Sequence, residues 1–322
     1  MIFQYNRGVI FMNLAEVNLL WKEYKDKYNV KDDVMIDDVA FDAPEFVEGY
    51  FNIMELLEGK YILHLTRNIH TYDDAYVRFI LFHEFTHFYD FIHRPFDKGE
   101  KLFLYMNAYS EFHACKLTLA RAIQRFQVKL VDVDKLQIPG PYKETSIRTL
   151  LEETLWRAKV GFDYYETSLQ PTEYAQAFRI LMYLFGYLSL FKRDEELVRT
   201  SMKVTHQEDE RIFQMYQALK DIDVDRIVTL FKSIGDDVVL RYLKAMFKKY
   251  YGDILTEQEI DSITLDNYQD IISRLEDEEE EVAFTSLITE ELVAVASYAL
   301  TGKTGREKTR RKNKRILNFK HG

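Results

Sequence analysis

A single cysteine, Cys115, leaves the chain without an intramolecular disulfide and rules out a Cys-rich zinc finger. One cysteine also fits a reducing compartment. No apolar run approaches the roughly 18–20 residues needed to span a bilayer, so a membrane partner is not expected. The opening stretch MIFQYNRGVIFMN is too short and too polar for a secretory h-region, and Met12 offers an alternative start. The expected location is the cytoplasm. Net positive charge is confined to one place. Residues 303–320 hold nine Lys or Arg against Glu307, while the whole chain carries −10, leaving about −18 on the rest. The body should repel nucleic acid. The basic tail could attract nucleic acid, an acidic partner or the chain's own acidic surface. The run Glu276 to Glu281 is wholly acidic and reads as a solvated linker or helix end.

What the chain does have is apolar and aromatic material, 47% and 15% of its residues, which supports a packed core rather than disorder. Leu14, Val17, Leu20, Trp21 and Tyr24 recur at helical spacing and predict a helix over 14–28. Residues 46–53 and 60–67 are short and rich in aromatic and β-branched side chains. With Glu58-Gly59 between them, they predict a hairpin or two neighbouring strands. Thr71 and Asp74 form a capping-box pattern, so a helix is expected from about 72 to 93, with Pro95 beyond it. A second helix is expected over about 102–127. Residues 138–141, Ile-Pro-Gly-Pro, break the pattern. Helices are then expected near 144–160, 171–192, 207–220, 223–234, 236–250, 256–275 and 284–300. Pro171 falls at a first helical position, and Gly161, Gly235, Gly252 and Gly302 at helix ends.

These patterns give an α+β organisation. A small mixed domain over 1–137 precedes an all-helical domain over 143–301 and a flexible basic tail over 302–322. The aromatic stripe of Tyr174, Phe178, Leu181, Tyr183, Leu184 and Tyr187 reads as core packing.

Chemistry concentrates at residues 83–87, His-Glu-Phe-Thr-His. Two histidines four apart on a helix lie about 40° apart and one turn along, so both imidazoles can reach one ion. Glu84 then lies beside the ion, placed to take a proton from a water that zinc has acidified. A catalytic zinc wants a third protein ligand and one open position. Glu111, 24 residues after His87 on the next expected helix, is the leading candidate, with Asp90 and His113 as rivals. Asp90, one turn past His87, also suits a partner that orients an imidazole. Tyr109 and His113 flank Glu111, and either could donate to a developing oxyanion. His64 and His70 read as strand or loop residues, His93 as a helix C-terminal cation, and Cys115 as a small packed apolar residue. The strand over Tyr61 to Thr66 could offer its edge to an extended peptide.

The run HEFTHFYD followed by EFHA resembles the gluzincin pattern, H-E-x-x-H with a downstream Glu in an E-x-x-A step. It is most similar to the ImmA/IrrE-type metallopeptidases and, more distantly, to the catalytic domain of anthrax lethal factor. The likeness covers roughly residues 14–127, with Thr86 standing where the family more often has a small residue, commonly Gly. It implies a zincin-like N-terminal domain, one zinc held by His83, His87 and Glu111, Glu84 as base, and a protein or peptide substrate such as a transcriptional repressor. Two other readings stand beside this one. The first is a non-catalytic regulator that uses the scaffold to bind a partner. The second is a nucleic-acid-binding module that rests on the tail.

Overall fold

The computed structural model describes residues 12–44, 47–93 and 106–275. The acidic run at 276–281, the expected helix over 284–300, the tail from 302, residues 102–105 of the second expected helix and Pro95 lie outside them. The fold is mixed α+β, dominated by helices around a three-stranded sheet and a small ribbon.

The first helix, α1 (Leu14–Tyr28), matches its expected span. Asn13 caps it in a reciprocal box: its side chain accepts from the Glu16 amide at 3.1 Å, while the Glu16 carboxylate accepts from the Asn13 amide at 3.0 Å. Asn29, left-handed at φ 54°, ends it. The buried face carries Val17, Trp21 and Tyr24.

Strands β1 (Asp38–Ala43), β2 (Gly49–Phe51) and β3 (Ile62–Thr66) form the sheet in the order β1-β3-β2. The expected pairing of β2 with β3 is present and antiparallel, joined through a five-residue helix α2 (Ile53–Leu57) and a turn at Gly59, φ 77°. The sequence reading had no β1, which pairs parallel with β3. Strand β3 is therefore central. The expectation that it offers an edge to a peptide does not hold, because β1 and β2 occupy both of its sides.

Helix α3 (Asp74–Ile92) starts later than the capping pattern suggested. Residues 67–71 form a tight 3-10 turn, so the cap is Asp73, whose side chain accepts from the Ala75 amide at 2.9 Å. The helix is buried on several sides. Phe88 stacks on Phe51 at 4.7 Å and meets Trp21 at 5.2 Å, tying the sheet and α1 to one core. A wider π turn over Met106–Ser110 leads into α4 (Glu111–Ala122).

Beyond a ribbon of β4 (Gln137–Ile138) and β5 (Thr145–Ser146), the chain is helical. These helices are α5 (Ile147–Ser168), α6 (Pro171–Leu188), α7 (Asp194–Val204), α8 (Glu210–Asp221), α9 (Val224–Tyr251), α10 (Glu257–Asp261) and α11 (Tyr268–Leu275). Pro171 opens α6 as expected. Two of the expected helix ends fail, and the helix expected over 256–275 is broken between α10 and α11. Gly235 does not end a helix, because α9 runs through it as one rod. Gly161 lies inside α5, where its missing side chain lets Ala177 approach; an added Cβ would sit 2.8 Å from that of Ala177. Helix α7 had no counterpart in the sequence reading.

The break at 138–141 is not a gap in the packing. One buried cluster joins Ala108, Tyr109 and Phe112 to side chains of α5 through α9. A second joins Cys115 and Leu119 of α4 to Ile138, Ile147 and Tyr187. Among the described residues, no helix is long and apolar enough to cross a membrane.

Candidate metal centre

Because residues 83–87 are helical, His83 and His87 fall one turn apart on α3. Their rings meet edge to face at 4.7 Å and their Nε2 atoms lie 3.0 Å apart. Glu111, the first residue of α4, comes to them from the neighbouring helix. Its Oε2 is 3.2 Å from His87 Nε2 and 3.5 Å from His83 Nε2. The three residues form a group able to hold a metal ion. Bonds of about 2.0–2.1 Å to a tetrahedral ion would separate such ligand atoms by about 3.3–3.4 Å, close to the three edges observed. Oε2 is shielded from solvent and makes no hydrogen bond. A buried carboxylate oxygen without a partner, facing two imidazole nitrogens, fits the electron-pair donor set of a divalent cation. Of the three candidates for third ligand, Glu111 is the one brought to the imidazoles.

The far side of His87 explains its orientation. Ser110 Oγ donates to Asp90 Oδ2 at 2.9 Å and therefore accepts from His87 Nδ1, 2.7 Å away. The proton stays on Nδ1, and the Nε2 lone pair turns toward His83 and Glu111. Asp90 thus orients the imidazole through a serine. Its other oxygen holds His113 Nδ1 at 2.8 Å, and the His113 ring lies 5.2 Å from that of Tyr109. Tyr109 and His113 accordingly gather around Asp90, on the Nδ1 side of His87. Burial and the nearby Asp90 push the Tyr109 hydroxyl well above its usual pKa.

Glu84 is buried at 7% exposure beside β2. Gly49 makes the space, since a Cβ there would lie 3.1 Å from Glu84 Cγ. Burial pushes the Glu84 carboxyl up to about 7; His83 pulls it down and the neighbouring Glu111 pushes it further up. Thr86, the residue that departs from the family pattern, turns away from the centre. Its hydroxyl donates to Phe82 O at 2.8 Å and accepts from Tyr24 at 3.2 Å.

Helix α6 supplies two side chains that the sequence reading did not assign to the site. Arg179 binds Glu111 Oε1 through both Nε and Nη2. Burial alone would raise the Glu111 carboxyl, but the guanidinium and the imidazoles outweigh it and hold the group well below the ordinary range. Tyr183, one turn on from Arg179, meets the His83 ring at 6.0 Å. A signal for Arg179 did exist: it is the one basic residue of α6, set in an aromatic stripe, and a lone charge there demands a partner. No comparable signal marked Tyr183, Ser110 or Gly49.

The remaining expected bystanders have local partners. His64 sits between Asp42 at 2.7 Å and Glu55 at 2.9 Å and stacks on Tyr50. His93 closes α3 and reaches Asp32 at 3.2 Å. Cys115 is fully buried one turn past Glu111, and burial raises its thiol well above the usual range. Comparison of the chain with protein-family models, with curated proteins and with solved structures finds no match.

Proposed function

We propose that the chain is a zinc-dependent endopeptidase, with His83, His87 and Glu111 as metal ligands and Glu84 as the general base. The observation that carries this reading is the unpartnered Oε2 of Glu111, set against two Nε2 atoms at tetrahedral spacing, with Glu84 next in the chain. Two nitrogens and one carboxylate oxygen suit zinc, and three protein ligands leave one position for chemistry. When bound, zinc would polarise the scissile carbonyl and acidify the attacking water.

Glu84 takes the proton from that water and passes it to the leaving amine. Its pocket against Gly49 holds the carboxylate in place. Tyr183, beside His83, is the candidate donor to the oxygen that becomes anionic as water adds; Tyr109 and His113, gathered around Asp90 behind His87, are not placed to reach it. An extended substrate would lie along β2, the outer strand that packs toward α3. The resemblance to the ImmA/IrrE-type enzymes supports a zincin-like core, a cytoplasmic setting and a specific protein substrate such as a transcriptional repressor.

Metal analysis and substrate profiling test this directly. Wild type should hold about one zinc per chain, His83→Ala should lose it, and Glu84→Gln should keep it. Proteomes of cells expressing wild type should show cleavage products that are missing with Glu84→Gln. Zinc retained in His83→Ala refutes the site. Identical proteomes for wild type and Glu84→Gln refute the protease.

A further inference from the structure

An arginine and a carboxylate left to themselves pair as two forks, each nitrogen taking its own oxygen. Arg179 does otherwise. Its Nε and Nη2 both converge on Oε1 of Glu111 and leave Oε2 to face the imidazoles alone. Glu111 is 4% exposed, so no solvent competes for either oxygen. The guanidinium is itself placed by α6, whose Gly186 lies against the carbonyl of Phe112, the residue after Glu111.

We infer that Arg179 is a positioning residue that restricts Glu111 to one ligating oxygen and so keeps a coordination position open at the metal. The inference rests on the metal-site reading above. A free glutamate can chelate through both oxygens, filling the place that the attacking water needs. With Oε1 already holding two N–H donors, a second metal bond would have to displace a buried, charge-assisted pair. The role belongs to a chain segment more than sixty residues beyond the ligand it acts on, since the Arg179–Glu111 separation is 68.

The test substitutes Co2+ for zinc in the full-length chain and reads its visible absorption, together with metal affinity by chelator competition. Wild type should give the intense bands of four-coordinate Co2+. Arg179→Gln should give the weaker bands of a higher coordination number and bind metal about 10–100-fold differently, with peptide hydrolysis falling in kcat more than in KM. Arg179→Lys, which keeps the charge but not the two-point grip, should fall between them. A four-coordinate spectrum retained in Arg179→Gln overturns the inference while leaving the metal site intact. A wild-type protein that binds no Co2+ or zinc overturns the site reading itself. Should both variants fail to fold, a five- or six-coordinate spectrum in wild type overturns the inference, and a four-coordinate one supports it.

Discussion

The hydroxyl of Ser110 does more for the centre than its size suggests. It is fully buried, donates to Asp90 and accepts from His87, so one rotor decides which imidazole nitrogen keeps its proton. Removing it leaves His87 free to turn and leaves Asp90 short of a donor. Ser110→Ala should weaken metal binding by about 10–100-fold with little change in fold, as measured by chelator competition alongside circular dichroism. Unchanged affinity would show that His87 needs no such support. At this scale the pairing of His83 with His87 was legible before any coordinates, because H-E-x-x-H spacing is a property of the helix alone. Ser110 was not. Its role depends on which face of the π turn meets Asp90, and nothing local to its neighbours states that.

Among the elements, α4 is the one on which the site depends. The wider turn before it, Met106–Ser110, shifts the phase of the chain just ahead of Glu111. On its other flank α6 approaches at Gly186, where a Cβ would lie 2.3 Å from the Phe112 carbonyl and 2.9 Å from Cys115 Cβ. That contact admits no side chain without moving a helix. Gly186→Ala should therefore destabilise the protein by about 1–3 kcal/mol in urea titration and also lower metal affinity, because Arg179 and Tyr183 retreat with α6. A variant as stable and as metal-avid as wild type would mean the approach has slack. Helices α1 and α3 were readable from period and α6 from its opening Pro171, although the cap of α3 fell at Asp73 rather than Thr71. The joined rod α9, the break between α10 and α11 and the strand β1 were not. Gly235 inside α9 has no neighbour within 4 Å of its would-be Cβ, so nothing about that site forces the helix to stop.

For the whole molecule, packing crosses the sequence break at 138–141. The loop carbonyl of Pro141 accepts from the amide of Asp73, the cap of α3, at 2.9 Å. Phe112 belongs to a core built mainly from residues after 143, and Cys115 to one that draws on both sides of the break, joining Ile138 to Ile147, Tyr187 and Phe191. A fragment ending at residue 142 would expose those side chains to water and lose Arg179. It should fail to fold or to hold metal, and the full chain should lose the Ser110–Glu111 region and α6 in one cooperative transition, followed by tyrosine fluorescence and by metal release. A soluble fragment that binds zinc as tightly as the whole would return the centre to the N-terminal half. The sequence alone determined the α+β character and the helix that carries His83, Glu84 and His87, because each follows from periodicity within a short stretch, and it put Glu111 first among three candidates. Only the tertiary structure decided that β3 is central, that Glu111 rather than Asp90 or His113 faces the imidazoles, that Asp90 acts through Ser110 and that α6 reaches Glu111. Those facts depend on contacts between residues tens of positions apart, which a local pattern does not encode.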